Sequence, residues 1–193
     1  MSIDLIKKLR EETGIGLSEC KDALEKSQGD IEKAKEILKK KGKEIAANKS
    51  MRQAQQGLID SYIHSNGKVG VLIEIKCESD FVAKSDNFKD FSRQVAMQIA
   101  AMNPLYVDEQ DVPSEVIEKE KEIYRDQMKD SDKPEEIVQK IIDGKLEKWY
   151  AEVVLLNQKW IKDDKKTIRD LVNDLISQLG EKIEISRFVR FEI

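Results

Sequence analysis

The sequence predicts an α+β fold, with a small three-helix unit at the N-terminal end and a larger α+β unit behind it. Three observations carry this expectation. Up to about residue 41 the apolar residues recur at spacings of three and four, the helical period, and glycines cut them into short stretches. Asn66-Gly67, the strongest hairpin-turn signal in the chain, precedes the alternation Val69, Val71, Ile73, Ile75, Cys77. The chain then closes on a second alternation, Ile183, Ile185, Val189, Phe191 and Ile193, broken only by Arg187. Charge shifts where the pattern shifts: residues 1–56 hold 13 Lys/Arg and 10 Asp/Glu, whereas 57–193 hold 21 and 28. The expected organisation is a three-helix domain over 1–42, a linker over 43–56, and an α+β core over 57–193.

Ile3, Leu5, Ile6 and Leu9 make the first helical stripe, and Gly14 after Thr13 is a natural left-handed stop. Gly14-Ile15-Gly16-Leu17 then reads as a short loop whose two apolar side chains are expected to be exposed. Leu17, Cys20, Ala23 and Leu24 carry the second helix as far as Gly29. Asp30 is a good N-cap for a third, with Ile31, Ala34, Ile37 and Leu38, which Gly42 is expected to close. Forty residues in three helices give a marginal core, so the unit should lean on something else. Such three-helix modules resemble ubiquitin-associated domains, and that resemblance implies a partner contact through Ile15 and Leu17. A packing domain without a partner is the alternative. The run Lys39-Lys40-Lys41-Gly42-Lys43 reads as a solvated helix end in preference to a nucleic-acid contact, because cations favour helix C-termini. Residues 43–56 have few apolar anchors and read as a helical or flexible connector.

Pairing about Asn66-Gly67 sets His64 opposite Val69 and Tyr62 opposite Val71, which leaves Cys77 on the apolar face. A corner over Cys77–Lys84 leads into a helix carrying Phe88, Phe91, Val95, Ile99 and Met102, ended by Pro104. Ser114 can cap a charged helix to about Met128, and Pro134 suits the first turn of another bearing Ile137, Val138, Ile141, Ile142, Leu146 and Trp149. Ile168, Leu171, Val172, Leu175 and Leu179 form the clearest amphipathic helix, stopped by Gly180.

Composition narrows the function classes. A chain of 193 residues buries roughly 70% of its unfolded surface and needs no disulfide or metal to hold a core. Two cysteines, Cys20 and Cys77, are too few for a disulfide framework or a structural zinc site. The lone histidine, His64, reads as a packing or hydrogen-bonding residue and not a catalyst. Net charge of -4 and a pI near 5.3 lower the prior for nucleic-acid binding. No apolar window reaches membrane-spanning length, and the first residues lack a secretory core and an Arg-rich transit pattern, so a cytoplasmic protein is expected. There is no phosphate-cradling glycine loop and no nucleophile elbow, and no cofactor is expected. Glu78 and Asp80 sit two apart, yet paired acids at a strand end are more often solvated charges than a catalytic pair. Phe81 is the oddity: an aromatic after two acids and a serine, at a corner where polar residues belong. It either staples back onto the next helix or protrudes as a wedge, and the residues alone leave both open.

Four stretches, in order along the whole chain, resemble the translation elongation factor Ts family. They are Leu9–Leu17 with Cys20–Leu24 and Gly29–Ala34; Val69–Glu74 with Cys77–Ala83; Lys133–Glu136; and Ile185–Glu192. The resemblance implies a guanine-nucleotide exchange factor for the GTPase elongation factor Tu, one that catalyses no covalent step. Carried over by position, Asp80, Phe81, Val82 and Ala83 are the segment implied to dislodge magnesium from the partner. Phe81 would insert between partner helices and Asp80 would hold the corner. Gly14, Ile15, Gly16 and Leu17 are implied to touch the partner's GTPase domain. Ser79 stands where threonine is common, and Asn157–Asp163 departs from a Glu-Gln-Pro-Phe-Val-Lys-Asp pattern, with Trp160 bulkier than the phenylalanine. Longer members carry a second core half and an inserted coiled coil that this sequence does not show, and short members work as homodimers, so a homodimer is implied. The competing reading is a non-exchange scaffold: a protein-binding helical module on an α+β dimerisation domain.

Overall fold

The computed structural model describes residues 2–129 and 133–193. Helices α1 (Ile3–Thr13), α2 (Leu17–Lys26) and α3 (Ile31–Lys49) form the N-terminal unit. Its core is Leu9, Ile15, Cys20, Ala23, Leu24, Ala34 and Leu38. Gly14 adopts the left-handed conformation at φ 68° and ends α1, and the Asp30 carboxylate caps α3 by accepting the Lys33 N–H.

Two expectations about this unit need correction. Gly42 does not close the third helix, which continues to Lys49. Packing decides this: Gly42 is buried against the later helix α8 (Ile168–Leu179), and a Cβ there would lie 3.7 Å from the Asn173 carbonyl and the Ser177 Cβ. Beyond it Ile45 and Ala46 pack onto the main core, which outweighs the roughly 1 kcal/mol helical cost of a glycine. Ile15, expected to be exposed, is only 5% exposed and belongs to the unit's core, while Leu17 is 47% exposed. Three short helices lack apolar volume, so the loop turns its β-branched residue inward and leaves one leucine outside.

Strands β1 (Gln56–Ile63), β2 (Val69–Cys77) and β5 (Ile183–Glu192) form an antiparallel sheet in the order β1-β2-β5. The hairpin has the expected register, with Tyr62 opposite Val71 and the His64 N–H donating to the Val69 carbonyl at 2.9 Å. Val71, Ile73, Ile75 and Cys77 are buried on one face, in a cluster with Phe88, Val95 and Ile99 of α5 (Asp86–Met102) and Ile168 and Leu175 of α8. The closing strand departs from its expected single stripe. Glu74 pairs with Arg187 but Ile75 pairs with Ile185, so Ser186 is an extra residue, a β-bulge. A one-residue slip moves every later side chain to the opposite face. Ile183 and Ile185 are therefore buried, Phe188 then packs on the core, and Val189 and Phe191 point to the open side.

The other described elements include α4 (Asp80–Lys84), α6 (Ser114–Asp126), α7 (Glu135–Val153) and a ribbon of β3 (Lys159–Trp160) with β4 (Asp163–Thr167). The ribbon carries the departure at Asn157–Asp163, and a buried amide holds it. Gln98 donates to the Gln158 side chain and to the Lys159 carbonyl, and accepts from the Ile161 N–H. Trp160 packs against the main core from this ribbon.

Candidate functional site

The site is the corner after β2. Strand β2 stops at Cys77, and the Ser79 hydroxyl caps the following helix by accepting the Val82 N–H at 3.3 Å. That helix, α4, lasts a single turn, because Ser85 starts α5 by accepting the Phe88 N–H. So short a helix has one inward direction. Ala83 takes it and is buried, and Val82 is half-buried against the core. Phe81 is left 82% exposed. The staple reading therefore fails: Phe81 does not pack back onto α5.

The acids of the corner are already occupied. The Glu78 carboxylate accepts the Lys182 N–H at 2.6 Å and pairs with Arg52 at 3.3 Å. The Lys182 N–H, helped by Arg52, holds its carboxyl below the usual range. Asp80 pairs with Lys84 at 2.7 Å, which lowers its carboxyl as well. A general acid needs the opposite shift, so the arrangement does not suit acid–base catalysis. Asp80 was expected to hold the corner, but its bond stays within α4; Ser79 and Glu78 make the bonds that fix the turn. Burial raises the Cys77 thiol, which donates to the Ser79 carbonyl at 3.1 Å. His64 shares a 3.0 Å hydrogen bond with the Tyr62 hydroxyl. Among the described residues no group of three or more His, Cys, Asp or Glu side chains could hold a metal ion. Nor is any described helix long and apolar enough to cross a membrane.

At the N-terminal loop, Gly14 supplies the left-handed turn, Gly16 precedes α2, and Leu17 opens that helix half-exposed. Two residues that sequence reasoning missed support both places. Gln178 donates to the Thr13 carbonyl at 2.7 Å, and Glu181 accepts from the Glu78 and Ser79 backbone and from the Ser79 hydroxyl. Neither had a local signal, because each acts on a segment more than 100 residues away.

A family model described as Elongation factor TS matches residues 7–193. The chain belongs to the elongation factor Ts family. It is 56% identical over all 193 residues to elongation factor Ts of Thermotoga petrophila, covering 96% of that protein. It is 52% identical to elongation factor Ts of Fervidobacterium nodosum and 53% identical to that of Coprothermobacter proteolyticus, in each case over the whole chain and 98% of the relative. As a member of the elongation factor Ts family the chain has a role in translation elongation.

Proposed function

We propose that this protein is a guanine-nucleotide exchange factor for elongation factor Tu, acting in the cytoplasm and without covalent chemistry. The observation that carries the reading is Phe81, an aromatic 82% exposed on a one-turn helix whose entry is fixed by hydrogen bonds. An exposed, rigidly presented aromatic is suited to wedge between elements of a partner, since inserting it costs little ordering entropy. Asp80, Phe81, Val82 and Ala83 are the segment that disturbs the partner's phosphate and magnesium site, with Ala83 as the inward anchor. Leu17 supplies the second contact, from the N-terminal domain. Exchange demands differential affinity: the factor binds nucleotide-free partner better than GDP-bound partner, and GDP weakens the factor by the same ratio.

The working form in this proposal is a homodimer assembled by the α+β domain. Ile59, Ile63, Leu72, Val189 and Phe191 lie exposed on the open face of the sheet: Leu72 pairs with Val189, Ile63 and Phe191 flank Gly70 in the next row, and Ile59 lies beside Glu74. A contiguous apolar face of this kind marks an interaction surface, and a two-fold contact between like faces is the commonest way to cover it. Release of labelled GDP from elongation factor Tu tests the function. The protein should accelerate release catalytically; binding without acceleration would leave only the scaffold reading.

A further inference from the structure

The turn that ends α8, Gln178 to Lys182, touches both proposed contact segments. Thr13 is the last residue of α1, so its carbonyl has no partner within the helix. The Gln178 amide supplies one, at 2.7 Å. Gly14 makes room for it: a Cβ there would sit 2.8 Å from the Gln178 Nε2. Three residues on, one oxygen of Glu181 accepts the Glu78 and Ser79 N–H groups at 3.1 and 2.9 Å. Its other oxygen accepts the Ser79 hydroxyl at 2.6 Å, the same hydroxyl that caps α4 below Phe81. The grip is reciprocal, since the Glu78 carboxylate accepts the Lys182 N–H. Lys49, at the end of α3, bonds to the Gly180 carbonyl, which brings the N-terminal unit to the same turn a second time. Gln178 and Glu181 are half-buried and stand outside both hydrophobic cores. Their polar ends serve segments distant in sequence, and hydrogen bonds to a carboxylate are among the stronger ones available.

From this geometry we infer that the turn Gln178–Lys182 is a coupling element, which holds the Leu17 loop and the Phe81 corner in one fixed relation, with Gln178 and Glu181 as positioning residues for nucleotide exchange. The functional half rests on the exchange reading above; the mechanical half does not. Two contacts held at a fixed separation engage one partner as a single bivalent surface, and loosening the link lowers the effective concentration of the second contact once the first is made.

The test uses Gln178→Met and Glu181→Gln, which keep side-chain length while removing the donor or the charged acceptor. Spin labels at Leu17→Cys and Phe81→Cys, with the buried Cys20 and Cys77 left unmodified, report the separation of the two segments by pulsed electron resonance. Diluted with excess unlabelled chain, so that an assembled dimer carries one labelled protomer, the parent chain should give one narrow distance distribution and each variant a broadened one. In unlabelled protein, each variant should weaken binding to nucleotide-free elongation factor Tu about tenfold or more. The effects of Leu17→Ala and Phe81→Ala, non-additive in the parent, should become additive in the variants. Unchanged distance distributions in both variants overturn the coupling, and if one variant does not fold the other decides. Broadened distributions with unaltered partner affinity overturn the functional half. A parent chain that fails to accelerate GDP release removes the exchange reading, while the distance measurement still decides the coupling.

Discussion

Phe81→Ala separates a partner-facing aromatic from a structural one, and the structure sets the size of each effect. A phenylalanine carries about 150–250 Å² of surface. At 82% exposure only about 30–45 Å² of Phe81 is covered in the free chain. At about 25 cal/mol per Å² its truncation costs roughly 1 kcal/mol, and the better helix propensity of alanine offsets part of that. For a chain of this length such a loss moves the melting temperature by about 2–4 °C at most. Phe88, fully buried seven residues later, is the internal control. Its truncation removes a packed ring from the main core and should cost about 3–5 kcal/mol. Thermal melts by circular dichroism read the stability of both variants, and labelled-GDP release from elongation factor Tu reads exchange. Phe81→Ala should melt close to the parent and lose at least about tenfold of stimulated release, equivalent to about 1.4 kcal/mol of interaction with the partner. Full exchange activity in Phe81→Ala would refute the wedge. A melting loss comparable to that of Phe88→Ala would show that Phe81 is packed in solution and refute the premise.

Further outcomes follow from other places in the fold. Gly42→Ala should stabilise the chain by up to about 1 kcal/mol in chemical denaturation, because a Cβ there meets α8 at an ordinary 3.7 Å, whereas Gly42→Leu should destabilise it. Ile15→Ala should cost about 2–5 kcal/mol, while Leu17→Ala should leave the melt nearly unchanged and weaken a binding titration with the partner. Burial would raise the Asp170 carboxyl, but Lys39 at 2.9 Å, the Thr167 N–H and Lys43 outweigh it and hold it low. Its stabilising contribution is therefore complete above its unfolded value of about 3.9 and fades as pH falls through the lower folded one. Hydrogen exchange in α3 should rise across that acid window, and Asp170→Asn should reduce that rise, the remainder coming from the Asp30 cap and the Glu12–Lys35 pair. Phe191→Lys should convert a dimer to a monomer in sedimentation equilibrium under reducing conditions; a parent chain running as a single species near 22.2 kDa at micromolar concentration would refute the assembly.

What the sequence determined by itself is what neighbouring residues decide. Asn66-Gly67 and the alternation behind it point to the hairpin and its register, although the turn the chain makes is wider than two residues, with the Gly67 N–H donating to the His64 carbonyl and Gly67 in the left-handed conformation. The stripe from Ile168 to Leu179 and its stop at Gly180 specify α8 in the same local way. The corner at Asp80–Ala83 was also legible, through its motif and through an aromatic where polar residues belong. Tertiary structure decided the rest. Gly42 reads as a stop, yet it is an approach point for α8, because what fills the space beside a glycine lies 131 or more residues away in the chain. Ile183, Ile185, Val189 and Phe191 share a parity, yet the bulge at Ser186 divides them between two faces, and only the partner strand reveals the extra residue. The exposure of Phe81 depended on the length of α4 and on which residue of its single turn met the core. The grips of Gln178 on Thr13 and of Glu181 on Ser79 join segments with no local periodicity in common. A hydrogen bond is specified by where two groups sit in space, and for distant segments that position exists only once the chain has packed.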